Sequence, residues 1–344
     1  MATKAVKIEA LEIGGINILA GETKQLELQA VRLCNDSQMT IPIYVKRGKK
    51  PGPTIFVSAA IHGDELNGIE IISRVINSPR LRYLRGTLIA VPIVNGYGIL
   101  NQSRYLPDRR DLNRCFPGST KGSQASRLAH LFVKEIVSKC DFGIDLHTGA
   151  IHRSNLPQIR ANLDDKTTFD MAHSFGVPVM INSNLRDGSL RQCADELGVP
   201  MLLFEAGEAL RFDEMSIRSG TTGVFNVLCH LDMLTQKKSK KSKVEPLVAR
   251  KSGWVRAPDS GLVIHKKNLG DIVVKDEVIA IIKTPLGKIS ATVLSNANGI
   301  IIGKQNIPLV HEGEAVYHIA YFKNPDDVVE NLELMQENLD LYDT

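Results

Sequence analysis

Before residue 236, apolar runs alternate with segments of helical period. Thr54-Ile-Phe-Val-Ser-Ala-Ala-Ile61 and Thr87-Leu-Ile-Ala-Val-Pro-Ile-Val94 are almost wholly apolar, which predicts strands buried on both faces. Pro92 belongs near the end of the second run or at a bulge, because it has no N–H for a ladder. Between the two runs Ile69, Ile72 and Ile76 recur at helical spacing, widened by Ile71 and Val75. That stripe predicts a helix over 67–76. Further helices are predicted over 126–137 and 221–234, and further strands over 142–146 and 201–204. Strands separated by helices indicate an α/β fold, a mixed sheet flanked by helices.

The grammar changes at Gln236-Lys-Lys-Ser-Lys-Lys-Ser-Lys243. This polar, single-signed run repels itself and cannot join a core, so a linker is predicted over 236–245. Beyond it Gly253, Gly261, Gly270, Gly287, Gly299, Gly303 and Gly313 punctuate short apolar runs at 272–274, 278–282 and 300–302. Short strands with near-regular turns predict a small all-β barrel or sandwich over 246–344, closed by a helix containing Leu332, Leu334 and Met335. The larger unit, 1–235, is then expected to carry the chemistry, with 1–45 as an N-terminal β extension. A chain of 344 residues accommodates two such domains.

Charge narrows the partners. The chain has 42 Lys+Arg against 38 Asp+Glu, a net charge of +4, without the basic excess of a nucleic-acid binder. The five lysines of the linker exceed that surplus, so the remainder is near neutral. No window is long and apolar enough to span a membrane, and the first residues lack the apolar region of a signal peptide. Five scattered cysteines without a C-x-x-C pair argue against a disulfide framework or a cysteine zinc knuckle. The expectation is a reduced, cytoplasmic protein with no membrane or nucleic-acid partner.

Candidate chemistry lies where the apolar runs end. The first passes directly into His62-Gly-Asp-Glu65. Imidazole and carboxylate are both good zinc donors, and a separation of three at a strand–helix junction lets both point into one site. The same residues also suit a capped helix beside a surface histidine. His147 ends a later run, Phe142-Gly-Ile-Asp-Leu-His147, and strand periodicity puts Asp145 on its face. There Asp145 can orient the imidazole through its second nitrogen. Two His and one Glu leave an open position, the composition of a hydrolytic zinc centre. Arg104, Arg109, Arg110 and Arg114 cluster between these segments, fitted either to grip a carboxylate or to form a solvated loop with nearby aspartates. His130, His173, His230, His265, His311 and His318 read as packed or exposed residues rather than ligands.

Taken together, His62-Gly-Asp-Glu65, Asp111-Leu-Asn-Arg114 and Asp145-Leu-His-Thr148 resemble the succinylglutamate desuccinylase/aspartoacylase family, within the zinc carboxypeptidase-like superfamily. The resemblance covers about residues 45–235. It implies one Zn²⁺ per chain held by His62, Glu65 and His147, with Asp111 and Asp145 behind the ligands. Asn113 and Arg114 would hold a substrate carboxylate. Arg104, with Arg109 or Arg110 as possible sharers, would polarise the scissile carbonyl. Glu205, in Leu203-Phe-Glu-Ala-Gly207, would be the general acid/base, ahead of its neighbour Glu208. The stretch from His152 to Arg160 is similar to a predicted-deacylase branch, implying substrate contacts from Arg153 and Arg160. The activity implied is removal of an acyl group from an N-acyl amino acid or related small amide. The alternatives are a metallocarboxypeptidase acting on a small peptide or isopeptide, and a non-catalytic small-molecule binding protein. Residues 250–322 resemble lipoyl and biotinyl barrel-sandwich domains. The hairpin Ile282-Lys-Thr-Pro-Leu-Gly-Lys288 has no Met-Lys-Met, so a cleft-capping or homo-oligomer role is expected rather than a covalent carrier.

Overall fold

The computed structural model describes residues 10–235, 244–322 and 325–340. Most of the expected linker, 236–243, lies outside the described residues. Among the described residues, thirteen strands join in one mixed sheet. They are β1 (Thr23–Arg32), β2 (Gln38–Arg47), β3 (Lys50–Ala59), β4 (Arg85–Val91), β5 (Phe142–Gly149), β6 (Arg153–Ala161) and β7 (Val179–Asn182). There follow β8 (Met201–Glu208), β9 (Leu247–Ala249), β10 (Ser252–Arg256), β11 (Ile272–Val273), β12 (Gly299–Gln305) and β13 (Ala315–Tyr321). Their order is β10-β13-β12-β6-β8-β5-β3-β4-β2-β1, with β7 beside β6, β9 beside β7 and β11 beside β12. The centre is parallel: β3 pairs parallel with β4 and β5, and β5 with β8. β6 then runs antiparallel to β8.

Helices cover both faces: α1 (Asn67–Ile76), α2 (Gly96–Leu100), α3 (Gln124–Glu135), α4 (Lys166–Phe175), α5 (Leu190–Glu196), α6 (Glu214–His230) and α7 (Asp326–Asp340). Alternate residues of β3 serve two cores. Ile55 and Val57 pack with Ile71, Ile72, Val75 and Val224 of α1 and α6, while Phe56 packs with Phe132 of α3 and with Ala194 of α5. A strand buried on both faces therefore shows an unbroken apolar run rather than alternation.

The helix expected over 67–76 is α1, and Pro92 falls just past the end of β4. α6 spans Glu214–His230, so it starts before and ends before the expected 221–234. Its first turn already buries Ile217, and the Asp213 carboxylate accepts the Ser216 N–H there as a cap. β6 and β7 had no sequence signal of their own. β6 carries Pro157 and several polar residues, which obscure any two-residue period.

After residue 246, β10, β12 and β13 extend the large sheet, β12 hydrogen-bonding directly to β6. A separate antiparallel four-stranded sheet contains Gly261–His265, Val278–Lys283, Ile289–Leu294 and Leu309–Val310. Val263, Ile279, Ile282, Val316 and Tyr317 form a core of their own here. The expected closing helix is α7, whose Met335 and Leu339 reach back into the first core.

Candidate metal centre and catalytic cleft

The site begins at the carboxyl ends of β3 and β5. Beyond β3 the chain turns through His62-Gly-Asp-Glu65 into α1. Gly63 is required by close approach: a Cβ there would lie 1.9 Å from the Gly98 carbonyl carbon of α2. One strand away, β5 delivers Asp145 and His147 from the same face.

Donor atoms of His62, Glu65 and His147 converge within 4.8 Å of one another, and all three residues are buried. Each Glu65 oxygen faces one imidazole, His62 Nδ1 at 2.7 Å and His147 Nδ1 at 2.8 Å. Both outward nitrogens meet carboxylates. His62 Nε2 lies 3.1 Å from Asp111 Oδ1, and His147 Nε2 lies 2.6 Å from Asp145 Oδ2. The Ser58 hydroxyl donates to the other Asp145 oxygen at 2.7 Å.

Electrostatics follow from these contacts. Burial alone would depress both histidines, but Glu65 and Asp111 raise His62 above its ordinary value, and Asp145 with Glu65 raises His147 well above it. Burial opposes ionisation of Glu65 and Asp111, yet both carboxyls are held below the usual carboxylate range. The two histidines do this for Glu65, and His62 with Arg104 for Asp111.

The donor set fits a divalent metal ion. It combines two imidazoles and a carboxylate, and Asp111 and Asp145 fix each ring so that its Nδ1 faces inward. With neutral imidazoles, Glu65, Asp111 and Asp145 bring three negative charges to the donor set, against the Arg104 guanidinium paired with Asp111 and Glu65. A divalent cation balances that excess. His62, Glu65 and His147 can therefore hold a metal ion.

Glu205 stands on the adjacent strand. In the parallel β5–β8 pairing it is the direct partner of His147, and directly opposed residues share a face. On its other side the β8–β6 ladder shifts register. Glu205 opposes Gln158, but Gly207 opposes Asn155, so an extra residue sits in β6 around Pro157. Without this bulge Asn155 and Arg160 would project to opposite faces. With it, both reach Glu205. Asn155 Nδ2 donates to Glu205 Oε2 at 2.5 Å, and Arg160 Nε lies 3.3 Å from Oε1.

The cleft holds about 300 Å³, a volume suited to a small molecule. Six arginines line it (Arg104, Arg114, Arg153, Arg160, Arg186 and Arg191) against Glu65, Asp145 and Glu205. Arg104 pairs with Asp111 at 2.9 Å and lies 3.4 Å from Glu65. Asn113 Oδ1 accepts the Leu190 N–H at 2.9 Å, so its Nδ2 is the group left to donate. Arg114 donates to the Asn113 carbonyl; burial lowers its pKa, with Asp111 opposing. Arg191 is turned to the Ser183 and Asn184 carbonyls, and burial lowers it to about 10.

The structure thus brings His62, Glu65, Arg104, Asn113, Arg114, Asp145, His147, Arg153, Arg160 and Glu205 to one cleft, with Asp111 behind His62 and Arg104. Arg109, Arg110 and His152 are exposed and do not line it. Glu208 accepts from Asn306 at 2.7 Å, away from the donors. Asn155, Arg186, Arg191 and Trp254 also line the cleft without having been singled out in the sequence. Arg153 and Asn155 are two apart, a strand-period hint, whereas nothing local marks Trp254.

Comparison with known proteins agrees with this geometry. Residues 51–231 match the profile of the succinylglutamate desuccinylase/aspartoacylase catalytic domain. The chain is 26% identical over 305 residues to an N-alpha-acetyl-L-2,4-diaminobutyric acid deacetylase of Halomonas elongata, covering 85% of this chain and 87% of that one. A succinylglutamate desuccinylase/aspartoacylase structure from Rhodobacter sphaeroides superposes with a TM-score of 0.77 at 26% identity, covering 86% of this chain and 95% of that one. The product-bound ectoine utilization protein EutE (DoeB) of Ruegeria pomeroyi shares the fold at a TM-score of 0.78 and 24% identity, covering 88% and 95%. Since the profile spans more than half the chain and takes in both ligand segments and Glu205, this protein belongs to the succinylglutamate desuccinylase/aspartoacylase family.

Proposed function

We propose that the protein is a zinc-dependent amidohydrolase that removes the acyl group from an N-acyl amino acid or a related small carboxylate-bearing amide. The observation that carries this reading is the strand register opposing Glu205 to His147, which sets a carboxylate beside three converging metal donors. A purely binding site has no need of such a base.

His62, Glu65 and His147 would hold the zinc, which when bound supplies Lewis-acid activation of water and of the scissile carbonyl. Glu205 takes the proton from the attacking water and passes it to the leaving amine. Asn155 and Arg160 hold its two oxygens for that task. Arg104 presents a positive guanidinium beside His62 and Glu65, where it stabilises the developing oxyanion, a contribution of about 2.7–4 kcal/mol for one well-placed donor. Asn113 and Arg114 bind the substrate carboxylate, and the surplus of arginine along the cleft favours anionic amides. The relative named as a deacetylase and the structure named as a succinylglutamate desuccinylase/aspartoacylase, both 26% identical, support the reaction class. The cleft volume supports a small substrate rather than a polypeptide.

In this reading residues 1–235 form the deacylase unit. Residues 246–344 form a barrel-sandwich unit similar to lipoyl and biotinyl domains, and the separate core around Val263 and Tyr317 supports that division.

The test joins metal analysis to a screen of N-acetyl-L-aspartate, N-succinyl-L-glutamate, N-alpha-acetyl-L-2,4-diaminobutyrate and short peptides. Wild type should contain zinc and release a free acid from an acyl amino acid. Glu205→Gln should keep the metal and lose about 10²–10⁴-fold in kcat. Near-normal turnover in that variant removes Glu205 from the chemistry, and cleavage of peptides alone makes the enzyme a carboxypeptidase.

A further inference from the structure

Strand register ties the catalytic cleft to residues far along the chain. Gly207 opposes Asn155, Asn155 opposes Gly303, Gly303 opposes His318, and His318 opposes Trp254. This row crosses β8, β6, β12, β13 and β10, and its members share the face that carries Glu205. Gly303 keeps the row open. A Cβ there would lie 3.0 Å from His318 Cβ and 3.1 Å from Asn155 Oδ1.

His318 is buried, and both its ring nitrogens are committed. Nδ1 lies 3.5 Å from Arg160 Nη2, and Nε2 lies 3.0 Å from the Ser252 hydroxyl. Guanidinium can only donate, so Nδ1 is the acceptor and the ring proton resides on Nε2, donated to Ser252. Trp254 stacks on the ring at 4.3 Å with a 10° interplanar angle and covers its face. Burial, reinforced by Arg160 and Arg186, pushes the His318 pKa down to about 3, so the ring stays a neutral acceptor. Arg160 has its Nε 3.3 Å from Glu205 Oε1. Because the guanidinium is planar, holding Nη2 at His318 also fixes where Nε meets the Glu205 carboxylate, as an ion pair without a hydrogen bond.

We infer that His318 is a positioning residue for Glu205: it braces Arg160, and Arg160 holds the carboxylate in its working orientation. The region after residue 246 thereby supplies part of the catalytic geometry without touching the reacting atoms. The inference rests on the reading of Glu205 as the proton carrier.

The test uses full-length, zinc-loaded protein assayed on N-acetyl-L-aspartate and N-alpha-acetyl-L-2,4-diaminobutyrate. His318→Leu should retain metal, lose about tenfold or more in kcat, and change KM by less than about twofold. His318→Asn, which keeps an oxygen acceptor where Nδ1 stood, should restore most of the loss. Unchanged kcat in His318→Leu, or no rescue by asparagine, overturns the inference. An activity-independent arm follows the ¹⁵N resonances of labelled histidine. His318 should show the Nε2–H tautomer, and Arg160→Met should shift its Nδ1 signal. An unmoved signal overturns the brace even if His318→Leu fails to fold. Full turnover in Glu205→Gln would instead strike the reading of Glu205. Loss in Glu205→Gln with wild-type rates in His318→Leu would strike only the brace.

Discussion

The two walls of the cleft are specified in different ways. On the donor wall, His62, Glu65, Asp111, Asp145 and His147 form a closed set of imidazole–carboxylate contacts. This wall depends on side-chain identity: only imidazole offers an unprotonated ring nitrogen, and only a carboxylate pairs with it as an anion. On the facing wall, Asn155, Arg160, Gly303, His318 and Trp254 meet through register across strands remote in sequence. There a bulge around Pro157 and a missing side chain at Gly303 matter as much as any functional group. One wall is vulnerable to loss of a donor, the other to a shift of a strand.

The largest effect should come from the donor wall. His147→Gln removes a donor and deprives Asp145 and Glu65, 1% and 2% exposed, of their shared partner. Breaking a buried ion pair by removing one partner costs about 3–5 kcal/mol. Metal content after dialysis should fall to near zero, turnover should fall to background, and urea unfolding should report the destabilisation. Stoichiometric metal in this variant would show that the donor wall does not depend on this imidazole.

Next comes a variant of the facing wall that removes no functional group. Gly303→Val places methyl groups against His318 Cβ and Asn155 Oδ1, pushing apart the groups that flank Glu205. Displacement by about 1 Å costs on the order of 10²-fold in rate. The expected result is a kcat loss of that size with the metal retained. Loss of metal as well would mean that the two walls form one mechanical unit.

The same contrast explains what could be read from the chain. The convergence of His62, Glu65 and His147 was legible because both histidines close apolar runs and Glu65 lies three residues beyond His62. The α/β order was legible because β3, β4, β5 and β8 each contain a mostly apolar stretch. Asn155 and Trp254 were not, because their relevance arises from pairing partners that no local pattern names. His318 looked like one packed histidine of the β segment. It is packed, and only the register through Gly303 shows against what. The early start of α6 was hidden for a different reason: beside Ile217 its buried face there is made of Ser216, Ser219, Gly220 and Gly223, small residues that leave little apolar stripe.

Acid should probe the facing wall in a defined direction. His318 is held at about 3 in the folded protein by burial, Arg160 and Arg186, against an ordinary value near 6.5. The unfolded chain therefore binds the extra proton first. The stability that follows from a neutral His318 is complete above about pH 6.5 and is lost as pH falls toward 3. His318→Leu has no such proton to bind. Between pH 7 and pH 4 its unfolding free energy should drop less than that of wild type, by on the order of 3 kcal/mol. Equal slopes in urea titrations at the two pH values would show that His318 is not held neutral.

The smallest effect is expected at the cleft mouth, where Trp254 is 37% exposed. The Arg153 guanidinium lies 5.3 Å from the centre of its ring, and an exposed contact of this kind contributes about 0.5–1 kcal/mol. Trp254→Leu frees Arg153 while leaving His318 bonded to Arg160 and Ser252, so the brace on Glu205 survives the loss of the stacked ring. KM should rise by about 2–5-fold with kcat within about twofold of wild type. A fall in kcat at constant KM would place Trp254 among the parts that position Glu205, and the facing wall would then act as one unit from its mouth to the base.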